Sequence, residues 1–313
     1  MGKQRLALWL AQLLLCERPG QEPCGACQPC RLAQNLGHPD LHWFIPIPRP
    51  KAGEPDKQVE EAAELIGEAI AARRAEPLYR SPDGMSSHQV ASARLLLRRA
   101  ALTPVQGKRK VFVIGEADRL VPQESSPEAA NALLKFLEEP PADTWIVLTA
   151  TEPERVLPTI RSRAVPLRLA RLSDAAVRSF AEASLPGAPK GTELDLLVRK
   201  ADGAIGRLLE GEAAGKAASE ARALLEALRS GRSERYERSM RQPTWAARGA
   251  FTDLLDALAD ELAERARSAA EDGRAEPFVA ALERVQAARA DAQRNVNPQL
   301  LLASLTGELA EVL

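Results

Sequence analysis

In the first sixteen residues (MGKQRLALWLAQLLLC) apolar positions return every three to four, so Leu6, Leu10, Leu13 and Leu14, with Trp9, share one face of an amphipathic helix. A short strand follows around Leu41–Ile45, left by a Pro-rich, charged loop over 43–57. The spacing then predicts a helix at about Val59–Arg74, a turn-rich break over 76–87, and a second helix over Gln89–Ala101 with Arg94, Arg98 and Arg99 on its polar side. Val111–Ile114 is an apolar run flanked by charge, the pattern of a buried parallel strand. Ser125 and Ser126 before Pro127 and Glu128 form a capping-box start. Asn131–Glu139 then carries Leu133, Leu134 and Leu137 on one face until Pro140-Pro141 ends it. A strand at Trp145–Thr149, a short helix after Pro153 and a third apolar run at Ala164–Leu169 complete an alternation that predicts a parallel α/β layer.

Beyond residue 170 the periodicity is helical only. Ser173-Asp174 and Gly191-Thr192 start two helices, and Gly203-Ala204-Ile205-Gly206 introduces a helix carrying Arg207. Residues 229–245 read as a basic, turn-prone break, and Ala246–Leu313 as two or three further amphipathic helices. The predicted order is an α/β domain over 1–168, a helical domain over 169–230 and a second helical domain over 235–313.

The 313 residues, 45% apolar, 27% charged and only 4% aromatic, fit several folded domains built on Ala and Leu and exclude a disordered chain. A net charge of −1 argues against a polybasic protein that binds by neutralising phosphates. Arg94, Arg98 and Arg99 with Lys108, Arg109 and Lys110 are local candidates for duplex phosphates, although solvated faces explain such clusters more often. No apolar stretch reaches the roughly 18–20 residues of a membrane span. Residues 1–16 have a secretory signal as an alternative reading, but Gln12 interrupts the apolar run and Leu15 is too large for a cleavage position. The expectation is a cytoplasmic chain with no membrane partner.

Cys16, Cys24, Cys27 and Cys30 are all the cysteines of the chain, spaced C-x7-C-x2-C-x2-C with Pro19, Gly20, Pro23, Gly25 and Pro29 between and beside them. Such turns bring backbone amides toward thiolates, as a four-thiolate zinc knuckle requires, and zinc held this way is structural because no coordination position stays open. An iron–sulfur site is the nearest rival, but Arg31-Leu32-Ala33-Gln34 lacks the further Cys-Pro of a ferredoxin run. Disulfides are the third reading, disfavoured by a reducing cytosol. His38 and His42 lie near enough in sequence to replace a thiolate, which four cysteines make unnecessary, and His88 stands alone.

What is missing is as informative. A phosphate-binding loop needs glycines and Lys-[Ser/Thr], because backbone amides cradle the phosphates and the hydroxyl holds Mg²⁺. Here Met1-Gly2-Lys3-Gln4 has the look of the end of such a loop, with Gln4 in place of the hydroxyl. Val111–Ile114 is followed by Gly115-Glu116, so Gly115 stands where a metal-holding Asp is needed and Glu116 is left as a remnant acid. Together these defects predict a chain that does not turn over ATP.

The strings GKRKVFVIGEADRL (107–120), ANALLKFLEEPP (130–141), Thr149-Ala-Thr-Glu-Pro153 and Ile160-Arg-Ser-Arg163, with the cysteine cluster followed by Gly37-His38-Pro39-Asp40, resemble the bacterial clamp-loader AAA+ family. Within it the likeness is to delta-prime-type subunits of DNA polymerase III, and it runs from residue 1 to about 210. The resemblance implies a P-loop (RecA-like) α/β domain, N-terminally truncated, with a zinc-knuckle module at about 16–42 and an atypical extension at about 50–80. It also implies an all-α lid and an all-α collar for oligomerisation. It places Arg163 on the family's Ser-Arg-Cys motif, with Ala164 where Cys is usual, as an arginine reaching in trans to ATP held by a neighbour; a fixed guanidinium suits charge developing on a γ-phosphate. Its other implied positions are Lys3, Glu116, Thr151 and Arg207 in a degenerate nucleotide site. For Thr151 a plain strand-end hydroxyl, and for Arg207 a helix-surface arginine, are readings of equal weight. The implied partners are tau/gamma and delta subunits and, through the assembled polymerase III complex, a sliding clamp and primed DNA. Two alternatives stand beside this reading: an ATP-hydrolysing tau/gamma-like motor, which would need Lys-[Ser/Thr] and an Asp before Glu116, and a free-standing zinc-dependent nucleic-acid-binding protein, which would need a basic, aromatic-bearing surface.

Overall fold

The computed structural model describes residues 2–75, 86–120, 128–185, 189–209, 212–228, 231–242, 249–270, 272–292 and 296–313. Ser125, Ser126 and Pro127, the expected capping box, lie outside these residues, as does most of the 76–87 break.

The chain folds as two units, one built on Met1–Ser81 and Met85–Leu209, the other on Glu210–Leu313. The first contains helices α1 (Gly2–Leu15) and α2 (Gln28–Gln34), strand β1 (Leu41–Phe44), helices α3 (Pro55–Ala75) and α4 (Val90–Ala101), and strand β2 (Lys110–Ile114). Helix α5 (Glu128–Glu138), strand β3 (Thr144–Leu148) and helices α6 (Pro158–Arg161), α7 (Asp174–Ser184) and α8 (Thr192–Ala201) complete it.

Among the described residues three strands form a parallel sheet in the order β1-β2-β3, with Leu41 opposite Val111 and Lys110 opposite Thr144. Because side chains alternate across a strand, the sheet has two apolar faces. Trp43, Ile45, Val111 and Val113 pack under α1, while Phe44, Phe112 and Ile114 meet α3, α4 and α5. Phe112 anchors the second face, edge-on to Phe136 at 5.5 Å and 4.7 Å from the His42 ring.

Two expectations need correction here. Helix α1 buries Ala7, Ala11 and Leu15 rather than the leucine stripe, and Leu6 and Trp9 are each 39% exposed. Small residues let the helix lie close on the valines of β2, and closeness decides the face. Residues 164–169 form no strand: Val165, Leu167 and Leu169 are exposed, Val165 at 95%, and β3 is the outermost strand of the sheet.

Helices α7 and α8 and the short 3-10 turn Ile205–Leu209 share a separate small core of Val177, Ala181, Leu194, Val198, Ala201 and Leu208. Ser173 caps α7 by accepting the Ala176 N–H. Arg207 sits on the 3-10 turn rather than on a full helix. Gly203 precedes it at φ +71, and a Cβ there would lie 2.6 Å from Arg171 Cβ and 2.7 Å from the Leu172 carbonyl oxygen, so only glycine fits.

The second unit is helical: α9 (Glu212–Ala227), α10 (Arg232–Met240), α11 (Ala250–Ala270), α12 (Glu276–Ala292) and α13 (Pro298–Val312). Helix α10 occupies most of what the sequence suggested was a turn-prone break. Leu254, Leu255, Leu258, Val285, Leu302 and Leu305 form the core, and Asn297 caps α13 through the Gln299 and Leu300 amides. Among the described residues no helix is long and apolar enough to cross a membrane.

Candidate functional site

The end of α1 and the start of α2 pinch the cysteine segment between them. Cys16 follows the last turn of α1, Cys27 is the N-cap of α2, and Cys30 lies in its first turn. Gly25, at φ +68, makes the reversal that turns Cys24 back toward Cys27. The four Sγ atoms lie within 4.8 Å of one another, with Cys16–Cys27 and Cys24–Cys30 each at 4.0 Å. Four sulfurs at the Zn–S length of about 2.3 Å stand about 3.8 Å apart at the corners of a tetrahedron, so the group fits one tetrahedral ion. It is too open for a disulfide, whose sulfurs lie about 2.05 Å apart, and an iron–sulfur cluster holds its thiolates farther apart than a single ion does.

Backbone amides point at the sulfurs as the sequence suggested: the Cys24 N–H donates to Cys16 Sγ and the Cys27 N–H to Cys24 Sγ, both at 3.4 Å. The Cys27 and Ala26 amides pull the Cys24 thiol down to about 6, whereas burial, then hydrogen bonds with Cys27 and Cys16, pushes Cys30 up to about 12. Neither His38 nor His42 joins the group. His38 Nδ1 accepts the Asp40 amide at 3.0 Å, and His42 stacks on Phe112.

A second constellation forms at the carboxyl ends of β2 and β3, where α/β sheets carry their ligands. The first turn of α1 reaches it across the sheet. Gln4 Nε2 donates to Glu116 Oε1 at 3.2 Å, and a Cβ added at Gly115 would meet the Gln4 amide at 3.0 Å. The Gln4 side chain thus fills the space that a carboxylate at position 115 would occupy. Glu116 adopts the left-handed conformation at φ 54, pairs with Arg119 at 3.2 Å, and gives its backbone N–H to Thr149 Oγ1 at 3.1 Å. Thr149 is therefore the strand-end hydroxyl that reaches this group. Thr151 is exposed and donates its backbone N–H to Asp118 Oδ1 at 3.2 Å. Lys3 is half-buried on the same first turn as Gln4.

Arg163 lies just past α6. It pairs with Glu138 at the end of α5, and its Nη1 donates to the Thr159 carbonyl at 2.6 Å. Arg207 is half-buried and 3.9 Å from Asp202. No described contact joins either arginine to the Gln4–Glu116 group.

The basic cluster divides. Lys110 is 3% exposed and its ammonium donates to the carbonyls of Ala100 (2.5 Å) and Leu102, closing the end of α4, so it cannot face phosphates. Arg99 lies over the Phe44 ring at 5.8 Å, Arg98 pairs with Asp56, and Arg94 is exposed.

Two residues escape a reading of the sequence. Buried Asp40 accepts the amides of Val105, Gln106 and Gly107 at 2.6, 2.8 and 3.1 Å, fixing the loop that feeds β2. His88, fully buried, donates from Nε2 to the Gly115 carbonyl at 2.7 Å and supports the turn that carries Glu116. The Gly-His-Pro-Asp turn was a signal for Asp40; nothing near His88 signals its role.

Curated relatives show what the chain resembles. It is 31% identical over 176 residues to DNA polymerase III subunit delta' of Bacillus subtilis, a match covering 56% of this chain and 41% of that protein. It is 34% identical over 173 residues to DNA polymerase III subunit gamma/tau of Mycobacterium tuberculosis, covering 54% and 22%. The chain thus matches less than half the length of these relatives. A solved gamma subunit-related protein from Thermotoga maritima aligns over 88% of this chain and 96% of its own, at 17% identity and a TM-score of 0.39. The sequence pattern of the family described as DNA polymerase III, delta subunit, matches residues 1–173, more than half of the chain, and the chain belongs to that family.

Proposed function

We propose that this chain is a delta-prime-type subunit of a DNA polymerase III clamp loader, one that does not turn over ATP itself and lends Arg163 to ATP held by a neighbouring subunit. The single observation that carries this reading is Gln4 beside Gly115. The side-chain amide fills the space where a metal-holding carboxylate would project and ties up the one acid beside it, Glu116. Productive hydrolysis needs a metal held at that place. In this reading residues 1–168 are an AAA+-type α/β domain, followed by a lid over 169–230 and an oligomerising collar over 235–313.

Zinc is the ion we assign to Cys16, Cys24, Cys27 and Cys30. Four thiolates saturate it, so it contributes folding energy to the 16–42 module and no chemistry. Partners in this reading are tau/gamma and delta subunits, with a sliding clamp and primed DNA met through the assembly in the cytoplasm. In this reading Lys3, Glu116, Thr151 and Arg207 are remnants of a nucleotide site.

The gamma/tau relatives favour one alternative, an ATP-hydrolysing motor subunit. Clamp- and DNA-stimulated ATPase of the loader reconstituted with its motor subunits separates the two. Arg163→Ala should slow the neighbouring site by about 10³-fold or more, the range of trans arginines, so that the loader loses that site's share of its rate, with assembly unchanged and the isolated chain inactive. Hydrolysis by the isolated chain, with Arg163→Ala silent in the complex, would establish the motor reading instead.

A further inference from the structure

Arg163 does not stand free at the surface. Its Nη2 pairs with the Glu138 carboxylate, and its Nη1 donates to the Thr159 carbonyl at 2.6 Å and to Ser162 Oγ at 3.4 Å. Both outer nitrogens, the pair that grips a phosphate bidentately, are thus occupied by the protein's own acceptors. Glu138 closes the last turn of α5, where the helix dipole disfavours a carboxylate, and Glu139 follows it directly. The arginine offsets that unfavourable position, so each partner holds the other.

From this geometry we infer that Glu138 is a latch: it parks the Arg163 guanidinium against its own subunit until a neighbour's nucleotide phosphate displaces it. The inference rests on the trans-arginine reading for its consequence in the loader, although the latch itself is a property of the isolated chain. The side chains of Arg163 and Glu138 are 35% and 45% exposed, so water screens the pair. Exposed pairs hold by a fraction of a kcal/mol to about 1 kcal/mol, so releasing the latch should change availability about two- to fivefold. A phosphate carries more charge than one carboxylate and accepts both nitrogens at once, so it wins the exchange. Glu138 acts through Arg163 and is a positioning residue.

The test begins with the intact isolated chain treated with phenylglyoxal, followed by peptide mapping of each modified arginine. In Glu138→Gln, Arg163 should react about two- to fivefold faster than in the natural chain. Glu138→Asp, which keeps the charge, should move the rate back toward the natural value, and exposed Arg94 should not change. In the reconstituted loader without clamp or DNA, Glu138→Gln should raise basal ATPase by a similar factor, and Glu138→Gln with Arg163→Ala should be as slow as Arg163→Ala alone. An unchanged Arg163 reactivity overturns the latch. So does a fall in loader ATPase with Glu138→Gln, which would make Glu138 a support rather than a restraint. If Arg163→Ala leaves the loader unaffected, the trans-arginine reading fails while the phenylglyoxal result still decides whether the latch exists.

Discussion

Acidification should weaken the α/β unit through His88, by an amount the structure sets. The ring is fully buried, and burial pushes its pKa down to about 4 although the Gly115 carbonyl and Asp118 favour the charged form. In the unfolded chain a histidine titrates near 6.5. Between those values the unfolded state binds the extra proton, so stability is flat above about pH 6.5, falls as the pH drops, and levels again below about 4. At pH 5.0 the loss is about 2 kcal/mol for this one residue, against almost nothing at pH 7.5. The perturbation is His88→Gln, whose amide N–H can still reach the Gly115 carbonyl. Urea unfolding at pH 7.5 and 5.0, followed by tryptophan fluorescence, reads the effect, since three of the four tryptophans, Trp9, Trp43 and Trp145, belong to the α/β unit and the fourth, Trp245, is common to both proteins. His42, also held down to about 4 by burial and then Arg99, and the cysteine cluster both respond to acid. They are common to the two proteins and cancel in the comparison. The natural chain should lose about 2 kcal/mol more than the variant between the two pH values. Equal losses would refute the reasoning, because they would mean that His88 is already protonated in the fold or reaches water.

Two further expectations follow from other sites. Native mass spectrometry should find one zinc per chain, lost in Cys24→Ser or on chelation, with amide exchange rising across residues 16–34 as the ion leaves; protection unchanged without metal would count against a structural ion. Gly203→Ala should destabilise the small helical core by roughly 2–4 kcal/mol, since its Cβ would strike Arg171 and Leu172 at φ +71. Gly191→Ala, at φ +64 and ψ −137 in open space, carries backbone strain alone, about 1–3 kcal/mol, and should cost less than Gly203→Ala; thermal melts giving the two variants the same loss would show that the clash is relieved.

What could be read along the chain follows from how local each cause is. The cysteine group was legible because its geometry is written within fifteen residues and four identical donors. The strands at 41–44, 110–114 and 144–148 were legible because each is a short, mostly apolar run bounded by charge or turn residues; only 110–114 is buried on both faces. Residues 164–169 carry the same kind of run without becoming a strand, because an apolar run pairs only when the fold lays it along an edge, and nothing in its own residues places it there. The face of α1 was misjudged for a related reason: leucines mark apolarity, but Ala7 and Ala11 mark where a helix can come close. Lys110 looked like part of a solvated basic cluster, and only the fold shows α4 ending above it. The absence of a hydroxyl at Gln4 and of an acid at Gly115 could each be noticed in the sequence. That one side chain fills the space left by the other, 112 residues away along the chain from its bonded partner Glu116, could not.

The uncovered run after Arg163 bears on how the protein behaves among copies of itself. A stretch with Val165, Leu167 and Leu169 in the open, in a domain whose sheet ends at β3 among the described residues, is the kind of surface that seeds fibrous aggregates at high concentration. Its intervening residues counter that tendency. Pro166 removes one amide from any ladder, and Arg168 places a charge where a stacked copy would bring an identical one. Replacing Pro166 and Arg168 together with threonine would remove both gatekeepers and leave a six-residue segment suited to self-stacking.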